Sequence, residues 1–281
     1  MNLLKSLFVS GFLTAAMLLS VAAIWQLFQA GSLNSPWLGA LIAGGTPFAF
    51  FMRVFIRPSP RTGQRLWGVL AGGVIGTGLA ALLGGGLPLL LAALVGIAGT
   101  LLYDLWFSRF GQRDSSVLAV GQPLPSFQLQ DTEGQSYSSD QLSTQPTIWM
   151  FYRGNWCPFC MAQIREVAAQ YRALEQRGAQ VILISPQSEA HTRSLARKFD
   201  VPMKFLIDTD NQAARRLGVF AENGLPTGMQ ALGYDSDVPL PTVFITGADG
   251  RILYADLTDN YRIRPEPDEF LRVLDQTGAA A

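Results

Sequence analysis

The way charge is distributed along the chain constrains its architecture more than any other feature. From Met1 to about Phe107 the sequence is apolar, rich in glycine and nearly free of charged residues, whereas from Ser108 onward charges are spread throughout. Such a contrast predicts a membrane region joined to a soluble domain. The apolar part divides into four candidate transmembrane helices, at about 7–29, 37–56, 66–83 and 87–107. Each approaches the ~20 residues that a helix needs to cross the hydrocarbon of a bilayer. The breaks AGSLNSP, RPSPRTGQR and GGGLP have turn-forming compositions, and the last separates its two spans least clearly. Trp37, Trp67 and Trp106 fall at span ends, where aromatic rings favour the interface. The expected organisation is a membrane region at 1–107, a linker at 108–118 and one domain at 119–281.

Orientation follows from the basic residues. Lys5 precedes the first span, Arg53, Arg57, Arg61 and Arg65 lie between or at the ends of the second and third, and Arg109 and Arg113 follow the fourth. The loops after the first and third spans carry no lysine or arginine. With four spans all these charges share one side, which the positive-inside rule makes the cytoplasmic one. The expectation is a multi-pass protein of the cell (inner) membrane with its soluble domain in the cytoplasm; three spans would reverse it. A cleavable signal peptide is an alternative reading of Lys5 and the apolar run ending in SVAA, although that run exceeds the usual ~7–15 apolar residues.

The spans themselves carry little chemistry. Apart from Arg53 and Asp104 near span ends they have no ionisable residue, so an ion or proton pathway is not expected. They have no histidine for bis-histidine haem and no cysteine for thiol relay. Gly68, Gly72 and Gly76 form a small-xxx-small ladder of the kind that permits close helix packing. The reading is an anchor whose partner is the lipid bilayer. A formal net charge of zero offers no electrostatic footprint for nucleic acid.

The soluble part holds both cysteines of the 281-residue chain, within FYRGNWCPFC at 151–160. A bridge across two residues closes almost no loop, so the pair has no structural purpose as a staple. Around it, short apolar runs alternate with helical periodicity. TIWMFY (147–152) predicts a buried strand, followed by a helix from Pro158 to Gln176. QVILIS (180–185), KFLID, TVFIT and RILYA predict further strands, SEAHTRSLARKF, NQAARRLGV and Pro267–Leu274 helices, and GADG an antiparallel hairpin turn. The order predicts an α/β sheet.

Cys157 therefore falls where a central strand gives way to a helix N-terminus. Free amides and the positive end of the dipole stabilise a thiolate there, and Arg153 is placed to add positive charge. Pro158 suits the first helical turn, and Cys160, one turn on, can resolve a mixed disulfide. Two bland readings compete: small apolar packing residues, and zinc. Zinc needs about four ligands, whereas the chain offers two thiols and a single histidine, His191, on what reads as an ordinary polar helix. Neither a metal nor an organic cofactor is expected.

FYRGNWCPFC, ILISPQS, LPTVFIT and DNYRIRPEPDEF together resemble the thioredoxin-fold, peroxiredoxin-like proteins of the AhpC/TSA superfamily, over about 119–276. The resemblance implies an α/β thioredoxin-like domain; the all-α region of about four transmembrane helices ahead of it lies outside the resemblance and rests on the apolar runs. It makes Pro241 the counterpart of the cis-proline that faces the cysteines, and it implies an arginine near the reactive sulfur. Arg153 is the first candidate, with Arg264 or Arg262 the second; Trp156, Pro241 and Arg264 are the expected substrate contacts. Peroxiredoxins carry a proline and a threonine seven and three residues before the attacking cysteine. Those positions are Arg153 and Cys157 counted from Cys160, or Met150 and Gly154 counted from Cys157. Neither register retains the threonine. Thioredoxins lack the insert at 219–238, which is expected to cover the site. The implied activity is hydroperoxide reduction by a dithiol cycle, with Cys157 as nucleophile and Cys160 resolving, regenerated by thioredoxin, glutaredoxin or glutathione. A protein thiol–disulfide oxidoreductase without peroxidase activity is the runner-up, and a membrane redox sensor or scaffold the third reading. The register in which Cys160 attacks first stays open.

Overall fold

In the computed structural model, which describes residues 2–111, 113, 114 and 116–276, the chain separates into two units. One comprises Leu3–Pro58 and Thr62–Arg109, the other Ser59–Arg61 and Phe110–Ala281.

The first unit is helical. Its elements are α1 (Asn2–Ala30), α2 (Pro36–Ile56), α3 (Trp67–Leu82) and a final stretch, Gly86–Phe107. In that stretch the α-helical pieces α4 (Gly86–Leu91) and α5 (Thr100–Leu102) alternate with π-helical Ala92–Gly99 and Tyr103–Phe107. Leu3–Ala30, Pro36–Ile56 and Gly86–Phe107 are long and apolar enough to cross a membrane, while Trp67–Leu82 is apolar but has only 16 residues. At ~1.5 Å per residue it spans about 24 Å, less than the ~30 Å of hydrocarbon. Glycine sets how closely α2 and α3 pack: a Cβ on Gly76 would lie 2.5 Å from both the Ala43 nitrogen and the Gly39 carbonyl oxygen. Of the predicted ladder, Gly72 makes a similar approach to Thr46, and Gly68 faces open space.

The second unit is built on a seven-stranded sheet in the order β2-β1-β5-β4-β3-β8-β9. Its strands are β1 (Gln128–Gln130), β2 (Ser136–Ser138), β3 (Thr147–Phe151), β4 (Gln180–Ser185), β5 (Lys204–Ile207), β8 (Thr242–Thr246) and β9 (Ile252–Asp256). β3, β4 and β5 run parallel, and β8 and β9 close the sheet antiparallel. Continuous apolar runs mark strands covered on both faces, and every residue of β3, β4 and β8 is buried. Trp149 stacks on Phe244 at 5.9 Å and donates from Nε1 to the Thr246 hydroxyl at 3.0 Å. This is the thioredoxin-like α/β arrangement that the resemblance implies.

Several elements differ from expectation. The helix from Pro158 ends at Ala169 (α7), and a separate turn, α8 (Tyr171–Glu175), follows. Gln170 leaves helical geometry at φ −102°, ψ 9° and its side-chain Nε2 donates to Asp268 Oδ1 at 2.9 Å. α9 spans only Glu189–Ala196, capped by Ser188. The NQAARRLGV helix shortens to α10 (Gln212–Arg216), because Asp210 and Asn211 adopt positive φ. The β1–β2 hairpin, the short α6 (Ser139–Leu142) and the pair β6 (Phe220–Ala221) with β7 (Val238–Pro239) have no counterpart in the sequence reading. The chain ends its described course in α11 (Pro267–Gln276).

Candidate active site

The FYRGNWCPFC segment joins β3 to α7 at one end of the sheet. Phe151 pairs with Ile184 of β4 and Thr242 of β8, so ILISPQS and LPTVFIT flank it on either side. Cys157 is the N-cap of α7, with extended backbone (φ −85°, ψ 111°) and proline next to it. The amide of Met161 donates to its carbonyl at 3.0 Å, closing the first turn. Cys160 lies inside that turn, and the two thiols are unbridged.

The two sulfurs have opposite electrostatics. The Cys157 thiol is drawn down to about 6, first by the hydrogen bond from Cys160, then by the charges of Arg153 and Arg264, against the opposing pull of burial. The Cys160 thiol is pushed well up, first by burial and then by its bond to and repulsion from Cys157, with Arg264 the opposing influence. The surroundings thus favour the ionised form of Cys157 and disfavour that of Cys160. This is the division of labour expected of an attacking and a resolving cysteine.

Exposure departs from the sequence reading. Cys157 is not the more accessible thiol: both cysteines are 2% exposed. The 219–238 insert packs on the residue next to Cys157. Trp156 packs against Ala221, Leu225 and Val238, with Tyr234 edge-on at 6.5 Å. The Tyr234 hydroxyl donates to Asn155 Oδ1. The Asn155 amide donates to Gln187 Oε1 at 2.9 Å, and Gln187 Nε2 donates to the buried Tyr152 hydroxyl at 3.0 Å. Burial pushes the Tyr152 phenol upward, with Cys160 adding to the effect. Gln187 lies inside the quoted ILISPQS motif, but no periodicity singles it out. His191 is less ordinary than its helix suggests, since its ring stacks on Tyr234 at 4.5 Å.

The arginines sort themselves by tertiary position. Arg153 donates to the Gly224 carbonyl and lies over the Trp156 ring at 5.0 Å, so it pins the insert as well as favouring the Cys157 thiolate. Arg262 and Arg264 are not surface residues: they are 0% and 4% exposed. Arg264 acts on both sulfurs. Among the described residues its Nε and Nη2 have no hydrogen-bond partner. Pro241 lies beside Thr242 at the same end of the sheet, but every described peptide bond is trans. The expected cis bond is therefore corrected: Pro241 directly precedes β8, a position where a proline with no N–H to donate is tolerated in trans. No group of three or more potential metal ligands occurs among the described residues.

Residues 120–255 match the model of the AhpC/TSA family. Peroxiredoxin Q, chloroplastic, of Populus jackii is 29% identical over 102 residues, 36% of this chain and 48% of that protein. A Coxiella burnetii (strain RSA 493 / Nine Mile phase I) protein provisionally named peroxiredoxin bcp is 30% identical over 105 residues, 37% of this chain and 70% of the other. Thiol-disulfide oxidoreductase ResA of Bacillus cereus (strain ZK / E33L) is 22% identical over 166 residues, 59% and 82% of the two chains. The chain spans about half the length of the plant relative it matches.

Proposed function

The chain belongs to the AhpC/TSA family through residues 120–255, and from that premise we propose that it is a membrane-anchored, thiol-dependent oxidoreductase that reduces hydroperoxides. The observation that carries this reading is the pairing of a lowered Cys157 thiol at a helix N-terminus with a raised Cys160 thiol one turn behind it. The Cys157 thiolate attacks the terminal oxygen of ROOH. The O–O bond breaks, sulfur is oxidised to the sulfenic acid, and RO⁻ takes up a proton to leave as ROH. Cys160 then loses its proton and attacks the sulfenic sulfur; the S–O bond breaks, water leaves, and the 157–160 disulfide forms. Two electrons from a cellular thiol reductant, either a dithiol of the thioredoxin or glutaredoxin class or two molecules of glutathione, return the pair to its reduced form.

Arg264 supplies the fixed positive charge that both steps need. It stabilises the attacking thiolate and, through its unpartnered donors, the charge developing on the leaving oxygen. The helical unit anchors the chain in the cell membrane as four spans, with the catalytic unit on the cytoplasmic side.

A second reading is favoured by a specific feature. Gly154 stands where the peroxide-orienting threonine would be if Cys157 attacks. A dithiol site without that hydroxyl suits exchange with protein disulfides. The full chain, purified in detergent and coupled to a thioredoxin system, separates the two. We expect consumption of hydrogen peroxide and organic hydroperoxides to exceed that of Cys157→Ser by more than about 10²-fold, the contribution of an activated nucleophile. Hydroperoxide consumption equal to that of Cys157→Ser, together with reduction of a protein disulfide, would establish the second reading instead.

A further inference from the structure

Gln187 is pinned at the junction of β4 and α9. Pro186 restricts the backbone before it, its amide donates to Ser185 Oγ at 3.4 Å, and its carbonyl accepts from Thr192 Oγ1 at 3.4 Å. The residue is buried, and its side chain bridges two residues of the segment that carries Cys157. Nε2 donates to the Tyr152 hydroxyl at 3.0 Å, and Oε1 accepts from the Asn155 amide at 2.9 Å. A Cβ on Gly154 would lie 3.6 Å from the same Oε1. One side chain therefore spans the loop from Tyr152 to Asn155.

Both anchors bear on Cys157. Tyr152 leaves β3 with its backbone amide bonded to Ile184 of β4 at 2.9 Å. Asn155 belongs to the turn that the Cys157 amide closes on the Gly154 carbonyl at 3.2 Å. Gly154 lends this turn no stiffness, because glycine has more backbone freedom to lose than any other residue. The turn depends on bonds from outside it. The Tyr234 hydroxyl reaches only the Asn155 side chain, whereas Gln187 holds the Asn155 backbone, two residues before the sulfur. A neutral amide suits the place, since it offers a donor and an acceptor together. A carboxylate there would set a negative charge in the loop of a thiol that must ionise.

We propose that Gln187 is a positioning residue for Cys157: by holding Tyr152 and Asn155 it fixes the 154–157 turn, and with it the sulfur, at the N-terminus of α7. Gln187 touches no reacting atom; it acts through the turn, where small displacements are costly to reactivity. The role rests on the reading of Cys157 as the attacking thiol, and it is testable without turnover.

The test is iodoacetamide alkylation of Cys157 in the reduced full chain, followed by mass spectrometry across pH. The native midpoint is expected at about 6. Gln187→Met, which keeps the length of the side chain and removes both bonds, should raise it by about 0.5–1 unit, the equivalent of one hydrogen bond's worth of placement. Tyr152→Phe, which removes only the hydroxyl that Gln187 grips, should raise it by less and guards against a Gln187→Met chain that does not fold. A native midpoint in either folded variant overturns the proposal. So does a lower melting temperature with an unmoved midpoint, which would make Gln187 a packing residue alone. A native chain that itself titrates at the free-thiol value of about 8.5 overturns the reading of Cys157 beneath the proposal, and the proposal with it.

Discussion

Cys160 donates a hydrogen bond to the sulfur of Cys157, one helical turn before it. The bond makes the two thiols unequal although both are equally buried. It favours the register in which Cys157 attacks, the one we propose, with the proton held on Cys160. Cys160→Ser should therefore retain a fast thiol and accumulate a sulfenic acid that dimedone captures, while Cys157→Ser should be nearly inert. Trapping of that sulfenic acid in Cys157→Ser at close to the native rate would put Cys160 first.

The lowered Cys157 thiol gives a pH dependence. Its alkylation rate should rise through about pH 6, well below the ~8.5 of a free thiol. Cys160→Ala, which removes the largest stabilising contact, should move the midpoint up most, with Arg153→Ala and Arg264→Gln moving it less. The linked stability has a definite sign. A depressed native pKa stabilises the fold above the unfolded thiol's value, and this contribution is lost as the pH falls through about 6. An unshifted native midpoint would remove the electrostatic basis for Cys157 as nucleophile.

Gly154 holds the loop in a conformation closed to other residues. Its φ is +145°, and a Cβ there would sit 2.5 Å from Trp156 Nε1. Gly154→Ala should cost about 1–3 kcal/mol of strain, displace Trp156 from the insert and slow the Cys157 reaction by about tenfold or more. Trp fluorescence and alkylation kinetics report the two effects separately. An unaltered rate would mean that the loop relaxes without cost.

We expect the 219–238 insert to restrict access to Cys157, with Tyr234 as its latch. Tyr234→Ala removes the bond to Asn155 and the contacts to Trp156 and His191. Alkylation of Cys157 by a bulky maleimide should accelerate several-fold, by the ~1–2 kcal/mol that one buried hydrogen bond and one ring contact contribute. A bulky reagent that reacts equally fast with both proteins would show that substrates enter elsewhere.

Topology is tested by fusion. On the proposed four crossings, with the arginine-flanked ends on one side, the positive-inside rule puts the C-terminus in the cytoplasm, and we expect a C-terminal fluorescent protein to be bright and an alkaline phosphatase fusion silent. The opposite pattern would mean that the 16-residue Trp67–Leu82 helix does not cross.

Local chemistry determined much of this protein. The apolar runs make helices because no other element satisfies its own backbone within the segment. Buried strands and the proline after Cys157 set where the sheet hands over to α7, and so which thiol caps the helix. These are relations between residues a few positions apart, which periodicity and capping report directly. What surrounds the sulfurs was decided only by the tertiary structure. Pairing of β3 with β8 brings Pro241 and Thr242 beside Phe151 across about ninety positions of sequence. It is the folded chain that buries Arg264 near both thiols, turns Arg153 toward Gly224 and carries Arg113 to Pro241. The three-residue strands β1 and β2 are too short to leave a periodic signal. An arginine's charge can be read from its letter, but its burial and its partners depend on segments far away in sequence.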